Sequence, residues 1–136
     1  MWTCNICGRI FEKVNQSHTC HKVPIEDHFK NKDIAKDIFS YLFRVVNEKV
    51  GTCQIVSLPC CIHLFGEYDY LAALPKKDRL EIRFTLNRKI NCPQLIQSIP
   101  ISQKSYKHCL NIKTTEEING ELIKMLNESY HLKSGK

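Results

Sequence analysis

The sequence predicts an α+β domain carried behind a small metal-bound unit: an antiparallel sheet of about five strands with helices packed on one face. Three patterns lead there. Four side chains able to ligate a soft or borderline metal, Cys4, Cys7, His18 and Cys20, fall within the first 21 residues. Two stretches, at 32–50 and near the carboxyl end, repeat apolar residues at helical spacing. Between them lie short runs rich in β-branched and aromatic residues, one alternating strictly.

The amino-terminal unit, residues 1–23, is predicted to fold around zinc. Two cysteines separated by two residues can turn both sulfurs onto one tetrahedral ion at about 2.3 Å, with an imidazole and a third thiolate closing the shell. Gly8 suits the sharp turn after the second cysteine. A segment this short buries too little apolar surface to fold alone, so metal binding would supply its folding free energy. His18 and Cys20 lie two apart and in an extended segment point to the same side, whereas His21 points away. Cys4, Cys7, His18 and Cys20 are therefore the predicted ligands, and His21 is an alternative fourth ligand that spacing leaves open. Four protein ligands describe a structural zinc site.

The second unit, residues 24–136, begins at Pro24, which suits the start of a short turn over Ile25–Phe29. In 32–50 the apolar stripe Ile34, Ala35, Ile38, Phe39, Leu42, Val45, Val46 and Val50 predicts a helix, with Asn31 as its cap and Gly51 as its end. Strands are predicted over 53–58, 62–65, 68–74, 80–86 and 106–112, and Pro75-Lys76-Lys77-Asp78 marks a hairpin connection. In 80–86, Leu80, Ile82, Phe84 and Leu86 alternate with Glu81, Arg83 and Thr85, as in a strand with one buried and one wet face. The stretch 89–104, broken by Pro93 and Pro100, reads as a loop. Thr114 and Glu117 form a capping box for a terminal helix carrying Ile118, Leu122, Met125, Leu126 and Tyr130, which Gly120 weakens by about 1 kcal/mol.

No apolar run approaches the roughly 18 residues of a membrane span, and no charged-then-apolar leader opens the chain, which predicts a cytoplasmic protein without a membrane partner. In a reducing compartment Cys53, Cys60, Cys61, Cys92 and Cys109 read as small buried hydrophobes. The formal charge is +6. Across residues 76–113 nine basic side chains meet two acidic ones, an excess of seven that exceeds the net charge of the whole chain. Lys76, Lys77, Arg79, Arg83, Arg88, Lys89, Lys107 and Lys113 are the candidate anion-binding residues, with Tyr68 and Tyr70 as stacking rings.

Trp2-Thr3-Cys4, Cys7-Gly8-Arg9 with Phe11, Asn15-Gln16, His18 and Cys20, His28-Phe29 with Lys32, Leu42-Phe43, the run 80–86, and Glu116-Glu117-Ile118-Asn119 with Tyr130 together resemble a bacterial family of unknown function, number fifty-six fifty-five. The resemblance implies an α+β domain with an antiparallel sheet, zinc ligation by Cys4, Cys7, His18 and Cys20, and an association in some members with nucleic-acid-related modules. It implies no established activity. His21 stands where that pattern has a small residue.

The leading expectation is a non-catalytic zinc module that binds an anionic partner, nucleic acid first. A protein-interaction or regulatory module docking through the knuckle or a sheet edge is the alternative. An enzyme is the third class: His63, Glu67, Asp69 and His108 are the polar groups near strands able to do acid–base work, and Cys60-Cys61 beside His63 could supply a thiolate. Their spacing matches no nucleophile–base–orienter pattern, so buried thiols and a structural histidine are the favoured readings.

Overall fold

The computed structural model describes residues 2–5, 10–11, 13–15, 22–66 and 68–132. It is an α+β fold. A small hairpin of β1 (Trp2–Thr3) and β2 (Ile10–Phe11) comes first, pairing Trp2 with Phe11 and Thr3 with Ile10, with Cys4 directly after β1. Cys4 is buried. Cys7, His18, Cys20 and His21 lie outside the described residues.

After a 3-10 turn at Ile25–Phe29 comes α1 (Asp33–Lys49), which buries Ala35, Ile38, Phe39, Leu42, Val45 and Val46, the predicted stripe. Its ends differ from expectation. Lys32, not Asn31, occupies the cap position, and Asn31 takes φ 58°, a left-handed conformation that asparagine tolerates. Gly51 does donate its N–H to the Val46 carbonyl at 2.9 Å. The position needs glycine for another reason: a Cβ there would lie 2.7 Å from Cζ of Tyr130.

The main sheet has six strands: β3 (Gln54–Ser57), β4 (Ile62–Phe65), β5 (Asp69–Pro75), β6 (Leu80–Leu86), β7 (Leu95–Pro100) and β8 (Tyr106–Ile112). Their order is β3-β4-β5-β6-β8-β7, every pairing antiparallel. Strand β7 replaces the predicted loop. It is an edge strand, exposing Ile96, Gln97, Ile99 and Pro100, and so lacks the alternation that marks a half-buried strand. Proline is tolerated there because an edge has no second ladder to supply. The segment is a strand because β8 pairs with it.

The two helices, α1 and α2 (Gly120–Leu132), pack on β5 and β6 and on each other, which places both on one face. A row of directly opposed residues, Ile62, Ala73, Ile82 and Leu110, faces them and is buried. The neighbouring row, Val56, His63, Ala72, Arg83 and Cys109, faces the other way. That second face is not simply wet: Cys109 and Glu81 are buried, Arg83 and Thr85 are half-buried, and Lys107 is exposed.

Thr114 and Glu117 do form a capping box, but around a 3-10 turn at Thr115–Glu117 and not around the terminal helix. Asn119 caps α2, its Oδ1 accepting from Leu122 N–H at 3.0 Å. Gly120 is thus the first helical residue, where its backbone entropy costs less than in the interior. Burial would by itself raise the Glu117 carboxyl, but hydrogen bonds from Gln94 Nε2 and the amides of Lys113 and Thr114 outweigh it and hold the pKa below its ordinary value. A depressed carboxylate stabilises the fold above its unfolded pKa, and that contribution is lost as pH falls through the folded pKa. Glu117→Gln is therefore expected to lose about 1 kcal/mol at neutral pH. The difference from wild type should shrink in acid, read by urea unfolding at both pH values.

Candidate functional site

The turn from β3 to β4 passes through Pro59 and Cys60 and is closed by Leu58 N–H donating to the Cys61 carbonyl at 2.9 Å. Proline's fixed φ suits such a turn. Cys60 is exposed at its tip and Cys61 buried beside it, their sulfurs 3.0 Å apart. Two residues on, His63 points to the same side as Cys61 because strand side chains alternate. Its Nε2 lies 3.0 Å from Cys61 Sγ.

Asp69 joins them through an irregularity of the sheet. Ile62, His63 and Leu64 pair with Ala73, Ala72 and Leu71 in regular steps, but Phe65 then pairs with Asp69. Tyr70 is the extra residue of a bulge, and the shift brings Asp69 onto the face of His63. There Asp69 Oδ2 stands 2.6 Å from His63 Nδ1, a close approach at angles outside those of a directed hydrogen bond. The bulge also parts β5 from β6 below Ala72: β6 stays paired with β8 as far as Leu86, while pairing with β5 stops at Arg83. The Tyr70 carbonyl is satisfied instead by the buried Ser129 hydroxyl of α2 at 3.1 Å.

A cleft of about 590 Å³ opens here, with Cys60, Cys61, His63, Asp69, Arg83 and Lys107 among its lining and Phe11 and Tyr68 adding rings. Ala72 stands between His63 and Arg83 in the cross-strand row. Its methyl group leaves the space between them open. Arg83 is held by Glu81, with Nε 2.7 Å from Oε2, a contact that raises the guanidinium pKa further.

Cys60, Cys61 and His63 form a group that could hold a metal ion, since their ligand atoms all lie within 4.8 Å of one another. Cys61, His63 and Asp69 also stand in the order of nucleophile, base and orienter. The electrostatics oppose a free thiolate: burial first, and then the neighbouring Cys60, push the Cys61 thiol up to about 12. A thiol in that range stays protonated at neutral pH, whereas a bound cation would displace its proton.

His108 is a satisfied core histidine. It is fully buried, with Nε2 2.9 Å from the Arg88 carbonyl and Nδ1 2.8 Å from Ser98 Oγ. A carbonyl only accepts, so Nε2 carries the proton and Nδ1 accepts from the serine. Glu67 lies outside the described residues. Tyr70 points into the helix side, its ring 5.0 Å from that of Tyr130, so it is no stacking platform.

The eight predicted anion-binding residues are not brought together. Lys76, Lys77, Arg79 and Lys113 gather where β6 starts and β8 ends; Arg88, Lys89 and Lys107 lie at the opposite end, roughly 20 Å away along a seven-residue strand. Arg79 pairs with Asp78 at 2.8 Å and Arg88 with Glu128 at 3.1 Å. Lys89 Nζ sits over the Tyr106 ring. Arg83 and Lys107 are the two of the eight that share the cleft.

The cysteine–histidine group was legible as a juxtaposition, Cys60-Cys61-x-His63, in a short hairpin. Asp69 was legible as a polar group near a strand, but its approach to His63 was not, because its facing depends on the bulge. Among the described residues no helix is long and apolar enough to cross a membrane. No protein-family model, curated protein or solved structure matches the chain.

Proposed function

We propose that this chain is a zinc-containing binding module that receives an anionic partner, nucleic acid first, in the cleft where β5 and β6 part, which runs from Cys60 and His63 to Ser129 and Leu132 of α2. One observation carries the reading: two cations, Arg83 and Lys107, and the ring of Tyr68 line the same cleft. Paired cations with an aromatic wall suit a phosphate backbone and its bases. The split of the remaining basic residues favours a short segment of strand in the cleft over a long duplex track. Zinc at Cys4, Cys7, His18 and Cys20 would act as scaffold, holding the β1–β2 hairpin whose Ile10 and Phe11 form part of the cleft wall.

The test is a titration of short single- and double-stranded oligonucleotides against the full chain at several salt concentrations. Arg83→Gln with Lys107→Gln should weaken binding by about tenfold or more and flatten the salt slope by roughly 1.5 for a single strand. Unchanged affinity in the double variant overturns the cleft as the anion site. A protein partner is the second reading, favoured by the edge of β7, unpaired among the described residues, where Ile96 and Ile99 are 49% and 39% exposed and Ile101 just beyond it 55%. An uncharged apolar edge suits strand addition. Binding to an extended apolar peptide, with none to nucleic acid, would support it.

A further inference from the structure

We propose that Cys60, Cys61 and His63 are a second metal centre, which takes a thiophilic divalent cation, zinc by ligand chemistry, and keeps one coordination position open to the cleft. Its ligands are different residues from the predicted amino-terminal set, and it does not depend on the anion-binding reading.

The donor set is two thiolates and one imidazole, a combination that selects zinc over magnesium or calcium. The histidine is prepared for the task. Nε2 is the nitrogen that faces Cys61 Sγ, while Nδ1 faces the Asp69 carboxylate at 2.6 Å. The groups are those of the carboxylate–histidine–metal arrangement, in which a small turn of the His63 ring or the Asp69 carboxylate completes the Nδ1–H bond and the outer carboxylate then fixes the ring and raises its basicity. The sheet irregularity supports the same assignment, because the Tyr70 bulge is what brings Asp69 to His63. Asp69 is a positioning residue here, not a ligand.

The sulfurs are 3.0 Å apart, closer than the roughly 3.8 Å separating two thiolates that share a zinc ion. Occupancy therefore opens the pair slightly. Cys60, exposed at the tip of the turn, is the residue free to move. Three ligands among the described residues leave a fourth position. The cleft that receives it also holds Arg83 and Lys107, so the position suits water or an anionic oxygen, of the carboxylate or phosphate class. The amino-terminal set, with four protein ligands, would leave no such position.

The experiment is zinc analysis of the full-length protein, with Cys60→Ser and His63→Ala variants and Cys7→Ser as the control for the amino-terminal site. The proposal expects the Cys60→Ser/His63→Ala double variant to lose one equivalent of zinc relative to wild type. Cys7→Ser should retain the Cys60/Cys61/His63 equivalent. Equal zinc in wild type and the double variant overturns the proposal.

Two further measurements avoid reliance on a variant that fails to fold. In wild type, zinc should protect Cys60 and Cys61 from iodoacetamide, mapped by peptide mass. Equal alkylation with and without zinc means a plain thiol pair and overturns the centre. Asp69→Asn should keep the zinc stoichiometry but weaken affinity by about tenfold in chelator competition. With cobalt in place of zinc, the thiolate-to-metal absorption should shift on adding inorganic phosphate if the fourth position is open, and a spectrum indifferent to phosphate and to acetate closes it. None of these readouts involves nucleic acid, so failure of the metal centre and failure of the anion-binding reading are distinguishable.

Discussion

Gly66→Ala is expected to destabilise the domain by about 2–3 kcal/mol, in the range of core overpacking. A Cβ at Gly66 would lie 2.2 Å from Cε2 of Tyr130, well inside contact. The ring has little freedom to yield. Its hydroxyl donates to the Thr52 carbonyl at 3.2 Å, it packs edge-on with the Tyr70 ring at 5.0 Å between centroids, and the Gly51 backbone lies against it as well. Moving the ring would break its contacts with the α1–β3 connection and with β5 together. Steric contact, not backbone conformation, is the cause, and a double-mutant cycle tests this. In a Tyr130→Ala background the same Gly66→Ala change should cost almost nothing. An equal cost in both backgrounds would show that the glycine is needed for something other than the ring.

His108→Ala should cost about 3–5 kcal/mol, since it removes a fully buried ring and leaves two polar groups without their partner. The ring bridges three parts of the chain. It sits on β8, accepts from Ser98 of β7 and donates to the Arg88 carbonyl after β6, with the Phe84 and Tyr106 rings 6.0 and 6.2 Å away. His108→Phe keeps most of the volume and loses both hydrogen bonds. Its cost by urea unfolding should fall between wild type and alanine, separating cavity from polar loss. A phenylalanine variant as stable as wild type would mean that the hydrogen bonds contribute nothing net. The expected loss is specific to the β6–β8–β7 end of the sheet, and backbone amides of β7 should lose hydrogen-exchange protection first.

Much of the fold was legible because its signals are local. The stripe from Ala35 to Val46 and the alternation of Leu80, Ile82, Phe84 and Leu86 arise from helix and strand periods that any core of this class must respect. Turn chemistry at Pro24 and at Pro75-Lys76-Lys77-Asp78 is equally local. Cys60, Cys61 and His63 were visible as neighbours. Their burial, exposure and convergence were not, since the favoured reading placed both thiols inside while the turn through Pro59 leaves Cys60 outside.

Composition and pattern by themselves determined the α+β class, five of the six main strands and both amphipathic helices, because apolar periodicity encodes which face of an element is buried. The tertiary structure decided the rest through partners distant in sequence. Leu95–Pro100 became a strand by pairing with β8. Thr114 and Glu117 capped a short turn, leaving Asn119 to start the last helix. Gly51 and Gly66 owe their identity to one ring 64 or more residues away. Arg79, Arg83 and Arg88, equal members of a basic run in the sequence, each met a different carboxylate. Asp69 reached His63 through a single extra residue in β5. A one-residue shift reverses which face a strand residue occupies, and the residue pattern of one strand carries no record of its neighbour's register.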